Sequence, residues 1–102
     1  MTKLGEIAKY VRSKNAGPFW VTIDIFCADA ESFERIARAP QLTPRAIAAL
    51  YDVSENEIRQ FHVPALNVFK VSFPRPTAQG SLRDVDSHAG QYFVPLLSLE
   101  ID

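Results

Sequence analysis

The chain changes from helical to strand-like hydrophobic spacing within its first thirty residues. The first apolar stripe consists of Leu4, Ile7, Ala8 and Val11. Its spacing predicts a short amphipathic helix that ends near Arg12. Gly17-Pro18 would stop this helix, because glycine tolerates left-handed geometry and proline cannot continue a helix. Residues 12–17 are therefore predicted to form a polar loop.

Residues 19–27 form the clearest predicted strand. Both faces are rich in aromatic and β-branched residues, which is typical of a strand in the centre of a sheet. Asp24 is the one charged residue in this predicted strand. A buried Asp24 needs a cation or an amide as partner, and the segment that starts at Arg12 supplies candidates.

Two helices are predicted to follow this strand. Asp29 can cap the first of them, and Pro40 ends it. Thr43-Pro44 is a cap followed by proline at the first helical position, which predicts the start of the second. Ser54 and Glu57 fit a capping box and indicate one more helical turn.

Beyond Ile58 the hydrophobic period approaches two. Residues 58–63 and 67–73 are predicted strands, residues 77–90 a polar loop, and the alternation of residues 97, 99 and 101 an edge strand. We therefore expect one α+β domain over residues 1–102, with helices on one face of a mainly antiparallel sheet.

Composition narrows the function classes. The chain is 47% hydrophobic and 23% charged with a net charge of −1, so it has no overall field that favours nucleic acid or an anionic membrane. No stretch is a signal peptide or long enough to span a bilayer, so we expect a cytoplasmic protein. Cys27 is the only cysteine and is predicted to be a buried small hydrophobe, which excludes an internal disulfide.

The predicted loop at residues 12–17 is the first candidate site. It contains Arg12, Ser13, Lys14, Asn15 and Gly17. Two cations, a hydroxyl, an amide and free backbone N–H groups can together hold a carboxylate or a phosphate. The glycine spacing is not that of a P-loop. A solvated turn with a cationic cap on the first helix is the alternative.

A second polar cluster provides further candidate ligand-binding residues. These are Arg75, Ser81, Asp84, Asp86 and Gln91. Long polar loops inside compact domains are often functional. The aspartates and His88 offer donors for a divalent ion, but their spacing matches no calcium loop. We predict no metal site and no cofactor.

The segment 42–59 has some features of a helix-turn-helix, which suggests a DNA-binding regulator as a weaker alternative. Its second helix would present Glu55 and Glu57 and only one arginine, whereas a helix that reads DNA presents cations and amides. No nucleic-acid partner is therefore predicted.

The chain resembles a bacterial family of about this length that is classified as a domain of unknown function. The matching residues include Arg-Ser-Lys-Asn-Ala-Gly-Pro-Phe at 12–19, Asp24-Ile25, Leu42-Thr43, Pro64-Ala65, Pro74-Arg75, Gly80-Ser81 and Pro95-Leu96-Leu97. It is also similar to the ferredoxin-fold C-terminal domain of acyclic terpene utilisation protein A. That domain carries Arg-Ser-Gly-Asp-Lys-Gly-Asp where this chain carries residues 12–18, so Arg12-Ser13 and Gly17 match.

The resemblance implies a ferredoxin-like two-layer sandwich. It also implies an accessory subunit or domain that partners a larger acyclic-terpene-utilisation-like catabolic protein and contributes an anion-binding loop. The ligand would be a small organic acid or an acyl-CoA. The alternative is a stand-alone lyase or hydratase, in which Arg12 holds the substrate and Asp84, Asp86 or His88 acts as acid or base. We favour a chain that is non-catalytic on its own, and self-association is left open.

Overall fold

The computed structural model describes residues 2–17, 19–74 and 93–101. Its strands are β1 (Thr2–Lys3), β2 (Tyr10–Asn15), β3 (Trp20–Phe26), β4 (Arg59–Val63), β5 (Val68–Pro74) and β6 (Glu100–Ile101). Its helices are α1 (Leu4–Ile7), α2 (Ala30–Ala37), α3 (Pro44–Tyr51) and α4 (Val94–Leu97). Short 3-10 turns lie at Pro40–Leu42, Glu55–Glu57 and Pro64–Leu66.

Two hairpins, β2-β3 and β4-β5, form a four-stranded antiparallel sheet in the order β2-β3-β5-β4. The predicted central position of β3 is confirmed, as is the α+β two-layer class with mainly antiparallel strands. Within this class, α2 and α3 both lie between the two hairpins. The described strands therefore follow a different order from the β-α-β-β-α-β chain of a ferredoxin-like sandwich.

The face of this sheet that carries the apolar core is called the inner face. Its centre consists of Val21, Ile23 and Ile25 on β3 and Phe69, Val71 and Phe73 on β5, all at most 1% exposed. The helices add Phe33, Ile36 and Ile47 to the same buried cluster. Because burial of apolar surface is the main stabilising term in folding, this cluster fixes α2 and α3 to one side of the sheet.

Ring contacts confirm that both helices pack on the inner face. The Tyr51 ring of α3 lies 4.6 Å from the ring of Phe73. The Phe33 ring of α2 meets His62 edge-on at 6.2 Å, and His62 also lies 4.9 Å from Phe69. His62 thus contacts rings of both layers, while it remains exposed on the edge strand β4.

Both helix starts predicted from the sequence are confirmed. The Ser32 N–H donates to Asp29 Oδ1 at 2.8 Å, and the Ala46 N–H donates to Thr43 Oγ1 at 3.3 Å. The extra turn predicted from Ser54 is also present as a 3-10 turn, although the Ser54 side chain makes no capping hydrogen bond.

The predicted first helix is too long. It ends at Ile7, and the chain turns into β2 at Tyr10 instead of continuing to Arg12. All six residues of β2 pair with β3, from Tyr10 opposite Phe26 to Asn15 opposite Val21. Val11 fits the helical spacing of the first apolar stripe, but it lies in β2. Pairing with the buried central strand determines its structure, because tertiary contacts readily outweigh local propensity.

The two ends of the described chain meet in a second small sheet. Here β1 pairs antiparallel with β6, and the Leu4 N–H donates to the Leu99 carbonyl at 2.7 Å. The predicted C-terminal strand is confirmed only at Glu100–Ile101, since α4 occupies Val94–Leu97. None of the helices in the described ranges is long and apolar enough to cross a bilayer.

Candidate functional site

The sheet surface opposite α2 and α3 is called the outer face, and three rows of its residues cross all four strands. Directly paired residues of neighbouring strands project from the same side of a sheet, so the pairing register defines each row. The carboxylate row is Arg12, Asp24, Lys70 and Phe61; the hydroxyl row is Lys14, Thr22, Ser72 and Arg59; the aromatic row is Tyr10, Phe26, Val68 and Val63.

Asp24 is the centre of the carboxylate row and is only 2% exposed. Arg12 Nε donates to Asp24 Oδ2 at 3.4 Å, and Lys70 Nζ lies 3.5 Å from Asp24 Oδ1. A buried charge requires such partners, because its transfer out of water is costly. The expectation that a buried Asp24 pairs with a cation from the segment starting at Arg12 is confirmed.

The two oxygens of Asp24 are not equally satisfied. Oδ2 accepts the hydrogen bond from Arg12, whereas Oδ1 is buried without any hydrogen bond among the described residues. Lys70 supplies charge near Oδ1, but 3.5 Å is long for a charge-assisted bond. Oδ1 therefore retains capacity to accept a donor.

The hydroxyl row places two hydroxyls between two cations. Thr22 Oγ1 and Ser72 Oγ are 2.8 Å apart, with Lys14 paired beside Thr22 and Arg59 beside Ser72. When one hydroxyl donates to the other, the second keeps its own proton for another acceptor. The row therefore suits an oxyanion, which would receive an O–H donor and a cation from either end.

Aromatic rings hold both arginines of the outer face. The Arg12 Cζ lies 5.0 Å from the centroid of the Phe26 ring, which is itself stacked on Tyr10 at 4.3 Å. The Arg59 Cζ lies 5.3 Å from the centroid of Trp20. Stacking of a guanidinium on a ring limits its conformations, so each arginine is oriented before a ligand arrives.

The rows concentrate positive charge on a chain that is slightly negative overall. Four cations, Arg12, Lys14, Arg59 and Lys70, stand against the single carboxylate of Asp24, which leaves three positive charges in the rows. The whole chain has a net charge of −1. Clustered charge of one sign raises the local concentration of its counter-ion, and this charge pattern is typical of surfaces that attract anions.

The residues of the predicted 12–17 loop are divided between the two faces. Residues 12–15 belong to β2, so the prediction of a loop is wrong for them. Because successive side chains of a strand point to opposite faces, these four residues do not share one surface. Arg12 and Lys14 lie on the outer face. Ser13 and Asn15 lie on the inner face, where Ser13 is 9% exposed and its Oγ accepts from the Phe93 N–H at 3.2 Å.

Gly17 belongs to the turn that connects β2 to β3. Its φ of 84° lies in the left-handed region, as expected for a glycine in a tight turn. The Ala16 N–H donates to the Trp20 carbonyl at 2.9 Å and closes the hairpin. The turn thus sets the register that places Arg12 beside Asp24.

The second predicted cluster lies outside the described residues. This applies to Arg75, Ser81, Asp84, Asp86 and Gln91, and also to His88 of the alternative hypothesis. In residues 2–17, 19–74 and 93–101, no three histidine, cysteine or acidic side chains form a group that could hold a metal ion.

The segment 42–59 does not form a helix-turn-helix. Helix α3 ends at Tyr51, and Asp52 adopts left-handed geometry with φ of 56°. The 3-10 turn Glu55–Glu57 and strand β4 then occupy the place of a recognition helix. The helix-turn-helix prediction is wrong for this segment, because it contains no second α-helix to enter a groove.

Cys27 has the properties of a packing residue. It is 7% exposed, and burial, with a smaller contribution from the charge of Asp29, raises the pKa of its thiol to about 11. A thiol nucleophile needs a lowered pKa and solvent access. The interpretation of Cys27 as a buried small hydrophobe is confirmed.

Sequence reasoning identified only Arg12 and Lys14 as ligand-binding residues among the seven polar residues of the carboxylate and hydroxyl rows. Thr22, Arg59, Lys70 and Ser72 were not recognised as site residues. The available signal was the alternation in β5, where buried Phe69, Val71 and Phe73 enclose the polar positions 70 and 72. Alternation shows which residues share a face, but a lone strand does not show which strands it joins.

Comparison with protein families finds one match, which covers almost the whole chain. The model of the domain of unknown function DUF4387 matches residues 4–100. No curated protein matches the chain, and no solved structure matches it either.

Proposed function

The chain belongs to the DUF4387 family of domains of unknown function, and from this premise we propose that it is an anion-binding accessory subunit or domain. Its ligand is a small organic carboxylate or the phosphate of an acyl-CoA. Its partner is a larger catabolic protein similar to acyclic terpene utilisation protein A.

The observation that carries the anion-binding part is the hydroxyl row. Lys14, Thr22, Ser72 and Arg59 follow one another across four strands, with the two hydroxyls 2.8 Å apart at the centre. A cation at each end and one free O–H donor in the middle are complementary to the negatively charged acceptor oxygens of a carboxylate or phosphate. Rigid strands carry all four residues, which favours a preorganised site.

Each cation has a distinct part in the proposal. Lys14 and Arg59 bind the anion from opposite ends of the hydroxyl row. Arg12 and Lys70 add charge from the neighbouring row while they also neutralise Asp24. Ser13 and Asn15, on the inner face, support the position of β2 and do not reach the same ligand.

The proposed partnership with a larger protein rests on the resemblance and on exposed aromatic side chains of the outer face. Tyr10 and Phe61, which lie on the two edge strands, are 49% and 51% exposed. Aromatic side chains beside a charged surface are typical of protein interfaces. A larger protein that buries these rings would place its own substrate next to the cations of the hydroxyl row.

Calorimetric titration tests anion binding, with inorganic phosphate, succinate and coenzyme A as separate probes. We expect binding of at least one probe, and a loss of about tenfold in affinity for Lys14→Gln, since a hydrogen bond to a charged group is removed. Lys3→Gln is the matched control, because it removes an equal charge from the other sheet. Equal affinities of the two variants, or no heat from any probe, would contradict the proposal.

Co-purification tests the partner. A tagged chain is recovered from its native host at low salt, and we expect the larger catabolic protein in stoichiometric amount. The double variant Tyr10→Ser, Phe61→Ser should lose this partner, and Leu66→Ser, at a 70% exposed position outside the three rows, should retain it. A chain recovered alone would refute the accessory role and leave anion binding to the titration.

A further inference from the structure

The proposed function leaves open what kind of anion the outer face selects. Resting on that proposed function, we infer that the ligand is a dicarboxylate with a hydrogen-bond donor, a hydroxyl or an ammonium, next to one carboxylate. Three features of the outer face carry this inference. They are cations on both sides of β3, a buried carboxylate between them, and an oxygen of that carboxylate with unused acceptor capacity.

The cations lie on two sides of the central strand. Arg12 and Lys14 belong to β2, whereas Lys70 belongs to β5 and Arg59 to β4. Neighbouring strands are about 4.8 Å apart, so β2 and β5 are separated by about 10 Å with β3 between them. A ligand with one carboxylate has to share that group between the cations of the two sides. Two carboxylates joined by a short carbon chain can engage both.

Asp24 makes the centre of this arrangement unfavourable for an anion without a donor. Its carboxylate is 2% exposed and lies between Arg12 and Lys70. A ligand carboxylate attracted by the same two cations comes close to a second negative charge, and like charges repel. A donor on the ligand would convert this repulsion into a hydrogen bond.

Asp24 Oδ1 is the atom that would accept this bond. It is buried and has no hydrogen bond among the described residues. Its neighbour Lys70 is 39% exposed and carries a flexible ammonium with three donors. When that ammonium turns towards a ligand carboxylate, Oδ1 loses its charge partner, and a hydroxyl or ammonium of the ligand replaces it.

A site built around an unsatisfied acceptor discriminates strongly between ligands with and without a hydrogen-bond donor. A ligand that lacks the donor leaves a buried polar atom unpaired, which costs much more than the loss of an apolar contact. The predicted order of affinity is therefore malate or aspartate above succinate. These three compounds share the four-carbon dicarboxylate and differ in the donor.

The test compares these three probes on the chain by calorimetry. We expect malate or aspartate to bind at least about tenfold more tightly than succinate, as for a hydrogen bond to a charged acceptor. The better of the two identifies the donor as hydroxyl or ammonium. Asp24→Asn, which keeps the shape and removes the charge, should reduce the preference to less than about threefold. Glu31→Gln, with equal charge loss on exposed α2, should keep it.

The outcomes separate this inference from the proposed function. Equal affinity of wild type for all three dicarboxylates would overturn the inference and leave anion binding intact. Binding of phosphate or coenzyme A without any dicarboxylate would do the same. If no anion binds, both fail. If Asp24→Asn does not fold, the wild type alone tests the inference, through the ratio of its affinity for malate or aspartate to its affinity for succinate.

Discussion

Asp24 on β3 and Lys70 on β5 are directly paired across the sheet, with 3.5 Å between Asp24 Oδ1 and Lys70 Nζ. The carboxylate is buried, but the lysine side chain keeps 39% of its surface exposed. The same ammonium therefore stabilises a buried charge and faces the solvent. Under the proposed function, stability and anion binding are coupled at this pair.

Replacement of Lys70 should destabilise the fold. Lys70→Met keeps the length of the side chain and removes the charge beside Asp24 Oδ1, so we expect a loss of about 1–2 kcal/mol, because a buried carboxylate loses one of its two cations. Urea unfolding measures the change. Lys14→Met is the control, since Lys14 is an exposed lysine opposite Thr22. Equal stabilities of the two variants would show that the Lys70 pair contributes nothing.

The two cations beside Asp24 should not act independently. Arg12→Gln or Lys70→Met alone leaves the carboxylate one partner, whereas the double variant leaves a buried charge without either. We expect the double variant to lose at least about 1 kcal/mol more than the sum of the single losses. A double-mutant cycle in urea measures this coupling, and simple additivity would speak against a shared carboxylate.

The turn between β2 and β3 should depend on the glycine at its centre. At Gly17 φ is 84°, a region that costs a residue with a Cβ about 1–2 kcal/mol. Gly17→Ala should therefore lower stability by about 1 kcal/mol. Gly17→Asn should lower it less, because asparagine tolerates left-handed geometry. An Ala variant as stable as wild type would place the turn in another conformation.

The thiol of Cys27 should react slowly in the folded chain. With a pKa of about 11, only about one thiol in a thousand is ionised at pH 8, and the side chain is 7% exposed. Iodoacetamide labelling should be at least about 100-fold slower than for a free thiol and should become fast in urea. Because the pKa is raised, the rate should still increase between pH 9 and pH 10. Rapid labelling at pH 8 would contradict the burial.

The fold was predictable where local chemistry and tertiary packing agree. Asp29 and Thr43 cap helices in the structure as their side chains predict. The strand predicted at residues 19–27 is present at Trp20–Phe26, where its inner five residues are buried on both faces, and it is central in the sheet. In each case the preferred local structure also buries the apolar residues, so sequence and packing give one answer.

The first segment was mispredicted because two patterns overlap in it. Leu4, Ile7, Ala8 and Val11 keep helical spacing, whereas residues 10–15 also suit a strand once β3 is available to pair with them. The register of this pairing cannot be deduced from the sequence pattern. Consequently the pattern could not reveal that Arg12 and Lys14 lie on the outer face while Ser13 and Asn15 lie on the inner face.

The site was predictable only in part for the same reason. Arg12 and Asp24 were linked from the sequence by the need of a buried carboxylate for a cation. Lys70 and Ser72 join them through pairing with β5, more than forty residues further along the chain. Such long-range pairs leave no local pattern in the sequence. From the sequence, the contiguous polar residues 12–17 were therefore favoured over a row that crosses four strands.

The location of a bound anion tests the account most directly. Backbone amide shifts are recorded by nitrogen-15 NMR while inorganic phosphate is titrated into the chain. We predict that the largest changes fall on β2, β3 and β5 at the carboxylate and hydroxyl rows, around Thr22, Lys70 and Ser72, with little change in α2 and α3. Changes concentrated on the helices, or none at millimolar phosphate, would contradict an anion site on the outer face.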